Sequence, residues 1–172
     1  MNHQIARNVL FVLMIAALFK NVVSYHHFGG LDRNVKQCIF KHLNDGRDHG
    51  QIASCDFVKH ESGSGLRVTY QGDLRVVTCP GGQCCRRWHI TINGRECSHP
   101  APIDVAIYAS KHGHALNLHR PGTLDGICDK VPKGTVKVGL SVGKCKHSIH
   151  GNAFTCWGSV CRFIIEEIPE QF

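Results

Sequence analysis

WHITING, the stretch from Trp88 to Gly94, decides the fold class of this chain. Apolar side chains at positions 88, 90 and 92 alternate with polar ones, which is the period of a strand with one buried face. Asn93-Gly94 follows directly, and this dipeptide favours a type I′ turn because both positions need positive φ. The stretch therefore predicts a strand that ends in a hairpin.

Similar patterns extend in both directions along the chain. Residues 66–70 and 74–76 alternate around Gly72-Asp73, which predicts another hairpin, and residues 103–107 and 136–142 alternate as well. Phe163–Ile165 is apolar at every position and favours a central strand buried on both faces. Asn44–Gly46 favours a turn over a helix. Together these segments predict a single-domain, all-β, antiparallel sandwich or jelly roll.

The first 24 residues have the composition of a secretory leader. Arg7 gives a positive start, and Val9–Phe19 is an apolar run of 11 residues, whereas a bilayer span needs about 20. We therefore expect a signal peptide over 1–24, a short tail over 25–37, a disulfide-linked head over 38–169 and a C-terminal tail over 170–172. This organisation predicts a protein without a membrane span that is secreted to the extracellular space or matrix.

Cysteines supply the second strong signal. Neighbouring side chains on a strand point to opposite faces, so Cys84 and Cys85 should bond to different partners. Spacing decides no other pairing, and the absence of any Cys-x-x-Cys argues against a zinc or thioredoxin-like site. Ten cysteines follow the leader, enough for five disulfides in an oxidising compartment: Cys38, Cys55, Cys79, Cys84, Cys85, Cys97, Cys128, Cys145, Cys156 and Cys161.

Basic residues exceed acidic ones, and the net charge is +7. In a secreted protein this charge favours anionic glycosaminoglycans such as heparan sulfate over nucleic acid. The candidate residues for binding anionic glycans are Arg86, Arg87, Lys130, Lys133, Lys137, Lys144, Lys146 and His147.

Catalytic and metal-binding patterns are weak. No serine lies in a Gly-x-Ser-x-Gly elbow, and no histidine pair has a carboxylate at the spacing of a zinc protease. His112 and His114 have a spacing that suits zinc or copper, although solvent-exposed loop histidines explain the same pattern. We expect no enzyme, no cofactor and no metal site.

Cys84–Cys97, with the sequence CCRRWHITINGREC, carries a family resemblance. It resembles a signature segment in the C-terminal domain of the collagen triple helix repeat-containing protein 1 family. The resemblance runs from about Lys36 to Pro169 and includes further blocks at 66–68, 116–120, 126–128, 142–145 and 159–169.

The resemblance implies a secreted, matrix-associated protein whose head is similar to the jelly-roll heads of complement C1q and tumour necrosis factor. It also implies homotrimers and a role in Wnt signalling, in its planar-cell-polarity branch, through contacts with Wnt ligands and Frizzled receptors. Matrix remodelling is a further family role. The leading hypothesis is therefore a non-catalytic extracellular signalling or matrix module, and the alternative is a cationic, lectin-like or defence protein that binds glycans.

Three features depart from the family pattern. Only 13 residues separate the predicted cleavage site from Cys38, and they contain no Gly-X-Y repeat. The family lacks cysteines at the positions of Cys156 and Cys161, which suggests that the two bond to each other across a tight turn at Gly158-Ser159. No Asn-x-Ser/Thr sequon occurs in the sequence, so we expect no N-glycan.

Overall fold

The protein was analysed as a computed structural model that describes residues 33–110, 117–146 and 149–171. The predicted leader 1–24, most of the predicted tail 25–37 and the histidines His112, His114 and His147 lie outside these described residues. Ten strands follow one another in the described part: β1 Val35–Phe40, β2 Gly50–Lys59, β3 Ser64–Val77, β4 Gln83–Ile92, β5 Arg95–Glu96, β6 Asp104–Ser110, β7 Arg120–Cys128, β8 Gly134–Lys144, β9 Asn152–Thr155 and β10 Cys161–Pro169.

The strands form two antiparallel sheets. The first sheet has the order β1-β10-β3-β7, and the second has the order β2-β8-β4 with β5 and β6 pairing with β4. Without the short strands β5 and β9, eight strands remain, and their chain positions run 1-8-3-6 in one sheet and 2-7-4-5 in the other. This order is that of a jelly roll. The predicted fold class is confirmed.

Alternation along the strands builds the core between the sheets. In β3, Leu66, Val68 and Tyr70 are fully buried, and they face Trp88 and Ile90 of β4 across the core. The Trp88 Nε1–H donates a 2.8 Å hydrogen bond to Thr155 Oγ1 of β9, so the polar edge of the largest core side chain has a partner in the other sheet.

The hairpin predicted at Asn93-Gly94 is confirmed, since these residues have φ of 51° and 78° and connect the paired strands β4 and β5. The hairpin predicted at Gly72-Asp73 is wrong, because β3 runs through both residues without a break. A Cβ at Gly72 would lie 2.2 Å from Cys161 Sγ, so this glycine makes room for a disulfide instead of a turn.

Five disulfides tie the sandwich together, as predicted. Two of them, Cys38–Cys55 and Cys97–Cys128, join strands or loops of different sheets. Adjacent cysteines do take different partners, since the other pairs are Cys79–Cys84, Cys85–Cys145 and Cys156–Cys161. The bond between Cys156 and Cys161, which was expected because the family lacks cysteines at both positions, is confirmed.

The strand around Ile164 is central, as predicted, but it is not buried on both faces. Phe163 and Ile165 have no exposed surface, whereas Ile164 between them is 39% exposed on the outer face of the first sheet. The prediction of a central strand is therefore confirmed, whereas the prediction that both of its faces are buried is wrong, because nothing in the described chain packs on the outer side.

Candidate interaction face

The outer face of the first sheet exposes a row of apolar side chains. In the register of β1 against β10, Gln37 pairs with Ile164, so Ile164 lies beside the strand segment between Val35 and Ile39. Val35 is 48% and Ile39 is 49% exposed. We call Val35, Ile39 and Ile164 the apolar row. Exposed apolar side chains that adjoin one another are typical of interaction surfaces.

Ion pairs flank the apolar row on the same face. Arg33 Nη2 lies 2.9 Å from a carboxylate oxygen of Glu166, and Arg67 Nη2 lies 2.8 Å from one of Asp125. The hydrogen bond from Arg67 lowers the pKa of Asp125. A groove of about 500 Å³ lies between these pairs, with Ile127 among its apolar residues. The face therefore offers apolar contacts bordered by fixed charges of both signs.

A cluster of aromatic rings around a guanidinium lies where β9 pairs with β3. The Arg75 Cζ is 4.4 Å from the ring centroid of Phe154 and 5.5 Å from that of Trp157. The two rings meet edge to face with centroids 5.1 Å apart. Arg75 is buried, whereas Trp157 is 41% exposed. We call Arg75, Phe154 and Trp157 the aromatic platform.

A chain of hydrogen bonds continues from the aromatic platform. Arg75 Nη1 donates to Asn117 Oδ1 at 2.9 Å and to His119 Nε2 at 3.1 Å, and His119 Nδ1 lies 2.9 Å from Asp73 Oδ2. Because arginine has no acceptor, Nε2 accepts and the Nδ1–H donates to Asp73. The imidazole is therefore held in one orientation by partners on both sides.

The outer face of the second sheet is different. Arg87 forms ion pairs with Glu96, at 2.6 Å, and with Asp104. The hydrogen bond with Glu96 raises the pKa of Arg87 and lowers that of the carboxyl group. Nearby, burial lowers the pKa of His89. Thr91 is 5% exposed, and its Oγ1 has no hydrogen-bond partner.

The residues predicted to bind anionic glycans do not form one patch. Arg86 is buried, and its guanidinium binds the carbonyl oxygens of Asp48 and Gly151, so it is not available to a ligand. Arg87 is held by two carboxylates. Lys133 and Lys144 lie at opposite ends of β8, whose 11 residues span roughly 35 Å.

The exposed lysines divide accordingly into two groups. Lys130, Lys133 and Lys137 lie in the loop before β8 and in its first half, and Lys144 and Lys146 lie at its far end. His147 is outside the described residues. Within those residues, no three His, Cys, Asp or Glu side chains group as metal ligands. No helix in the described part of the chain is long and apolar enough to cross a membrane.

Sequence reasoning did not find the apolar row or the aromatic platform. Val35 is followed by Lys36 and Gln37, and Ile39 lies between Cys38 and Phe40, so neither sequence context distinguishes an exposed side chain from a buried one. Trp157 is one of the four residues between Cys156 and Cys161, and this short disulfide loop was the one available signal that the ring would be held at the surface.

These observations define a class of protein: a jelly-roll domain stapled by disulfides, with an exposed apolar and aromatic face. Residues 30–165 match the family model described as "CTHRC1, C-terminal domain". The chain belongs to this family, the C-terminal domain of collagen triple helix repeat-containing protein 1, and the resemblance in the sequence is confirmed. The family supports an extracellular protein-binding module and is not a known enzyme family.

Solved structures resemble this chain only weakly and at low identity. Dimeric latent PorU from Porphyromonas gingivalis is 8% identical with a TM-score of 0.43, over 83% of this chain and 13% of that protein. A sugar-binding protein, the EclA C-terminal domain, is 10% identical with a TM-score of 0.35, over 81% of this chain and 86% of that one. At such scores these likenesses say nothing about ligands.

Proposed function

We propose that this chain is a secreted, non-catalytic module that binds extracellular signalling or matrix proteins through the apolar row. Family membership favours Wnt ligands and Frizzled receptors as the partners, with an effect on planar-cell-polarity signalling or on matrix organisation. The leader 1–24 would direct secretion, and the head 38–169 would carry the binding surface.

The exposure of Ile164 carries this proposal. A central strand of a sandwich normally buries its apolar residues, so exposing Ile164 there, with Val35 and Ile39 also exposed on the neighbouring edge strand, loses apolar burial that folding would otherwise gain. A partner that covers Val35, Ile39 and Ile164 recovers that burial. The ion pairs around the row supply a polar rim, which is the usual arrangement of protein interfaces.

Co-precipitation of the secreted, oxidised chain with Wnt and Frizzled ectodomains tests the proposal. We expect capture by the wild-type chain and loss of capture by an Ile39→Asp/Ile164→Asp variant that remains folded. Capture that is equal for the two chains would overturn the assignment of the apolar row.

Light scattering on the same samples separates partner binding from self-association. The family resemblance implies trimers, so contacts between copies of the head have to be distinguished from contacts with a partner. If the double variant falls from trimer to monomer, the apolar row is a contact between copies and the proposal for it is wrong.

Heparan sulfate is a second candidate partner, and the exposed group Lys130, Lys133 and Lys137 favours it. The three lysines fall within eight consecutive residues at the start of β8, so they can contact neighbouring sulfates of one chain. Elution from heparin clearly above physiological salt is expected, and a Lys130→Gln/Lys133→Gln variant should elute earlier. Elution at or below physiological salt would contradict this binding.

A further inference from the structure

The exposed ring of Trp157 is held rigidly at the surface. It belongs to the loop that the Cys156–Cys161 disulfide closes. The Gly158 N–H donates a 2.8 Å hydrogen bond to Asn44 Oδ1, and Asp45 pairs through its backbone with Thr155. The loop position and the contacts with Phe154 and Arg75 fix the orientation of the indole, so a ligand that stacks on it loses little side-chain entropy.

Two polar side chains with defined orientations lie near the ring, because both bond to the guanidinium of Arg75, whose Cζ is 5.5 Å from the Trp157 ring centroid. Asn117 accepts a hydrogen bond with Oδ1, which leaves its two amide donors without a partner among the described residues. His119 is 46% exposed at its side chain, and its ring is fixed between Arg75 and Asp73. An exposed indole next to planar polar groups matches the two needs of a sugar ring, an apolar C–H face and hydroxyl groups at its edge.

The charges of the site favour a neutral ligand over an anionic one. The guanidinium of Arg75 is buried against Phe154, its Nη1 already donates to Asn117 and His119, and its Nε has no hydrogen-bond partner but is closed to solvent, so no edge of it is open to a bidentate pair with a sulfate or carboxylate. Asp73 adds a carboxylate next to His119 and would repel an anion.

We infer that the aromatic platform, with Asn117 and His119, is a binding site for a neutral saccharide that stacks on Trp157. This site is separate from the apolar row and from the lysines at β8. It adds a glycan ligand to the module and does not depend on the proposed protein partner.

The chain offers a direct fluorescence assay for this site. It contains two tryptophans, and Trp88 is fully buried while Trp157 is 41% exposed. Acrylamide quenching therefore reports mainly on Trp157. We would titrate the oxidised chain with neutral saccharides that end in galactose, glucose, mannose, N-acetylglucosamine or N-acetylgalactosamine. Saturable protection from quenching by at least one of them is expected.

Three variants, measured by calorimetry with the protecting saccharide, define the contacts. Trp157→Ala removes the stacking surface and should weaken binding about tenfold. Asn117→Asp keeps the oxygen that accepts from Arg75 but removes both amide donors, and it should weaken binding by a similar factor. Val160→Ala changes another exposed residue of the same disulfide loop, 45% exposed, and should bind within about twofold of the wild type.

The inference is overturned if no neutral saccharide protects Trp157, or if a heparin-derived oligosaccharide protects it better than the neutral ones do. It is also overturned if Trp157→Ala binds the saccharide as tightly as the wild type. Loss of protein capture by Trp157→Ala, without saccharide protection in the wild type, would assign the platform to a protein contact. The apolar-row variant Ile39→Asp/Ile164→Asp should bind the saccharide normally, so the two proposals fail separately.

Discussion

The outer faces of the two sheets differ in the side chains that they expose to solvent. On the second sheet, small or polar residues such as Gly139, Ser141 and Thr91 occupy the central strands, and its exposed large apolar residues, Val58 and Tyr108, lie on separate strands at the edges. On the first sheet, the central strand itself exposes Ile164, diagonally across from Val35 and Ile39 of β1. The comparison indicates that, among the described residues, only the first sheet exposes a large apolar side chain on a central strand.

Disulfides give the largest expected difference between the two sheets. Cys85–Cys145 closes a separation of 60 residues in the second sheet, and Cys156–Cys161 closes one of 5 in the first. In the loop-entropy model, removal costs about 4 and about 2 kcal/mol respectively. We expect Cys85→Ala/Cys145→Ala to shift the urea midpoint about twice as far as Cys156→Ala/Cys161→Ala. Equal shifts would mean that native-state contacts outweigh loop entropy.

Binding of a protein partner should depend on the outer face of the first sheet and not on that of the second. Charges in place of Ile39 and Ile164 should weaken capture of a protein partner by about 2 kcal/mol, roughly thirtyfold, because a desolvated carboxylate replaces an apolar contact. The matched control is Val58→Asp/Tyr108→Asp on the second face, where the original side chains are 53% and 52% exposed. Surface plasmon resonance with the captured partner compares them. If the control variant loses more affinity for the partner than Ile39→Asp/Ile164→Asp does, the binding face is on the second sheet.

Two threonines test whether polar groups stabilise the core and the second face alike. Thr155 accepts from Trp88 Nε1 inside the core, and Thr155→Val leaves that donor unpaired, at a cost of about 1–3 kcal/mol. Thr91→Val removes a buried hydroxyl that has no partner, so stability should be unchanged or rise by up to about 1 kcal/mol. Urea unfolding measures both. A loss at Thr91 comparable to that at Thr155 would show that its hydroxyl has a bond in solution.

Glu167, a carboxylate on β10 that binds the loop between β2 and β3, gives the smallest expected effect on stability, and this effect depends on pH. Burial alone would raise the pKa of Glu167, but hydrogen bonds from the His60 backbone N–H, the Ser64 hydroxyl, Asn34 and the Glu61 backbone N–H lower it to about 2. Because the pKa is lower in the folded state, the stabilisation is complete above the unfolded value near 4.5 and is lost as pH falls toward 2.

Thermal unfolding of Glu167→Gln checks this linkage. The melting temperature of the variant should lie below that of the wild type at neutral pH, and the two should converge between about pH 4.5 and 2. A difference that stays constant with pH would show that Glu167 acts through packing. Ser62→Ala, at a residue exposed on the loop that connects β2 and β3, is a control that should follow the wild type.

Much of the fold followed from short-range patterns. WHITING specified a strand and a type I′ turn because alternation and positive φ are local properties, and the separate bonding of Cys84 and Cys85 followed from strand geometry. Gly72-Asp73 was misread because a glycine favours a turn and also permits close approach of a distant side chain. Only the position of Cys161, far along the chain, distinguishes these two roles.

The candidate sites depended on long-range placement. Arg86 and Arg87 are neighbours in a basic cluster, yet one is buried against backbone carbonyls and the other is held by Glu96 and Asp104, which come from other strands. The charge of a side chain is a property of sequence, but its availability is decided by what folds against it.

The sequence by itself determined that this chain is an all-β, disulfide-linked jelly roll of the CTHRC1 C-terminal family. Strand periodicity, turn residues and cysteine positions can each be read from short segments of the sequence. Tertiary structure alone decided which face remains open. The sheet order brings Ile164 diagonally across from Ile39 and brings Arg75, His119 and Trp157 together from strands and loops up to 82 residues apart. Exposure depends on what covers a surface, and that depends on packing between distant segments.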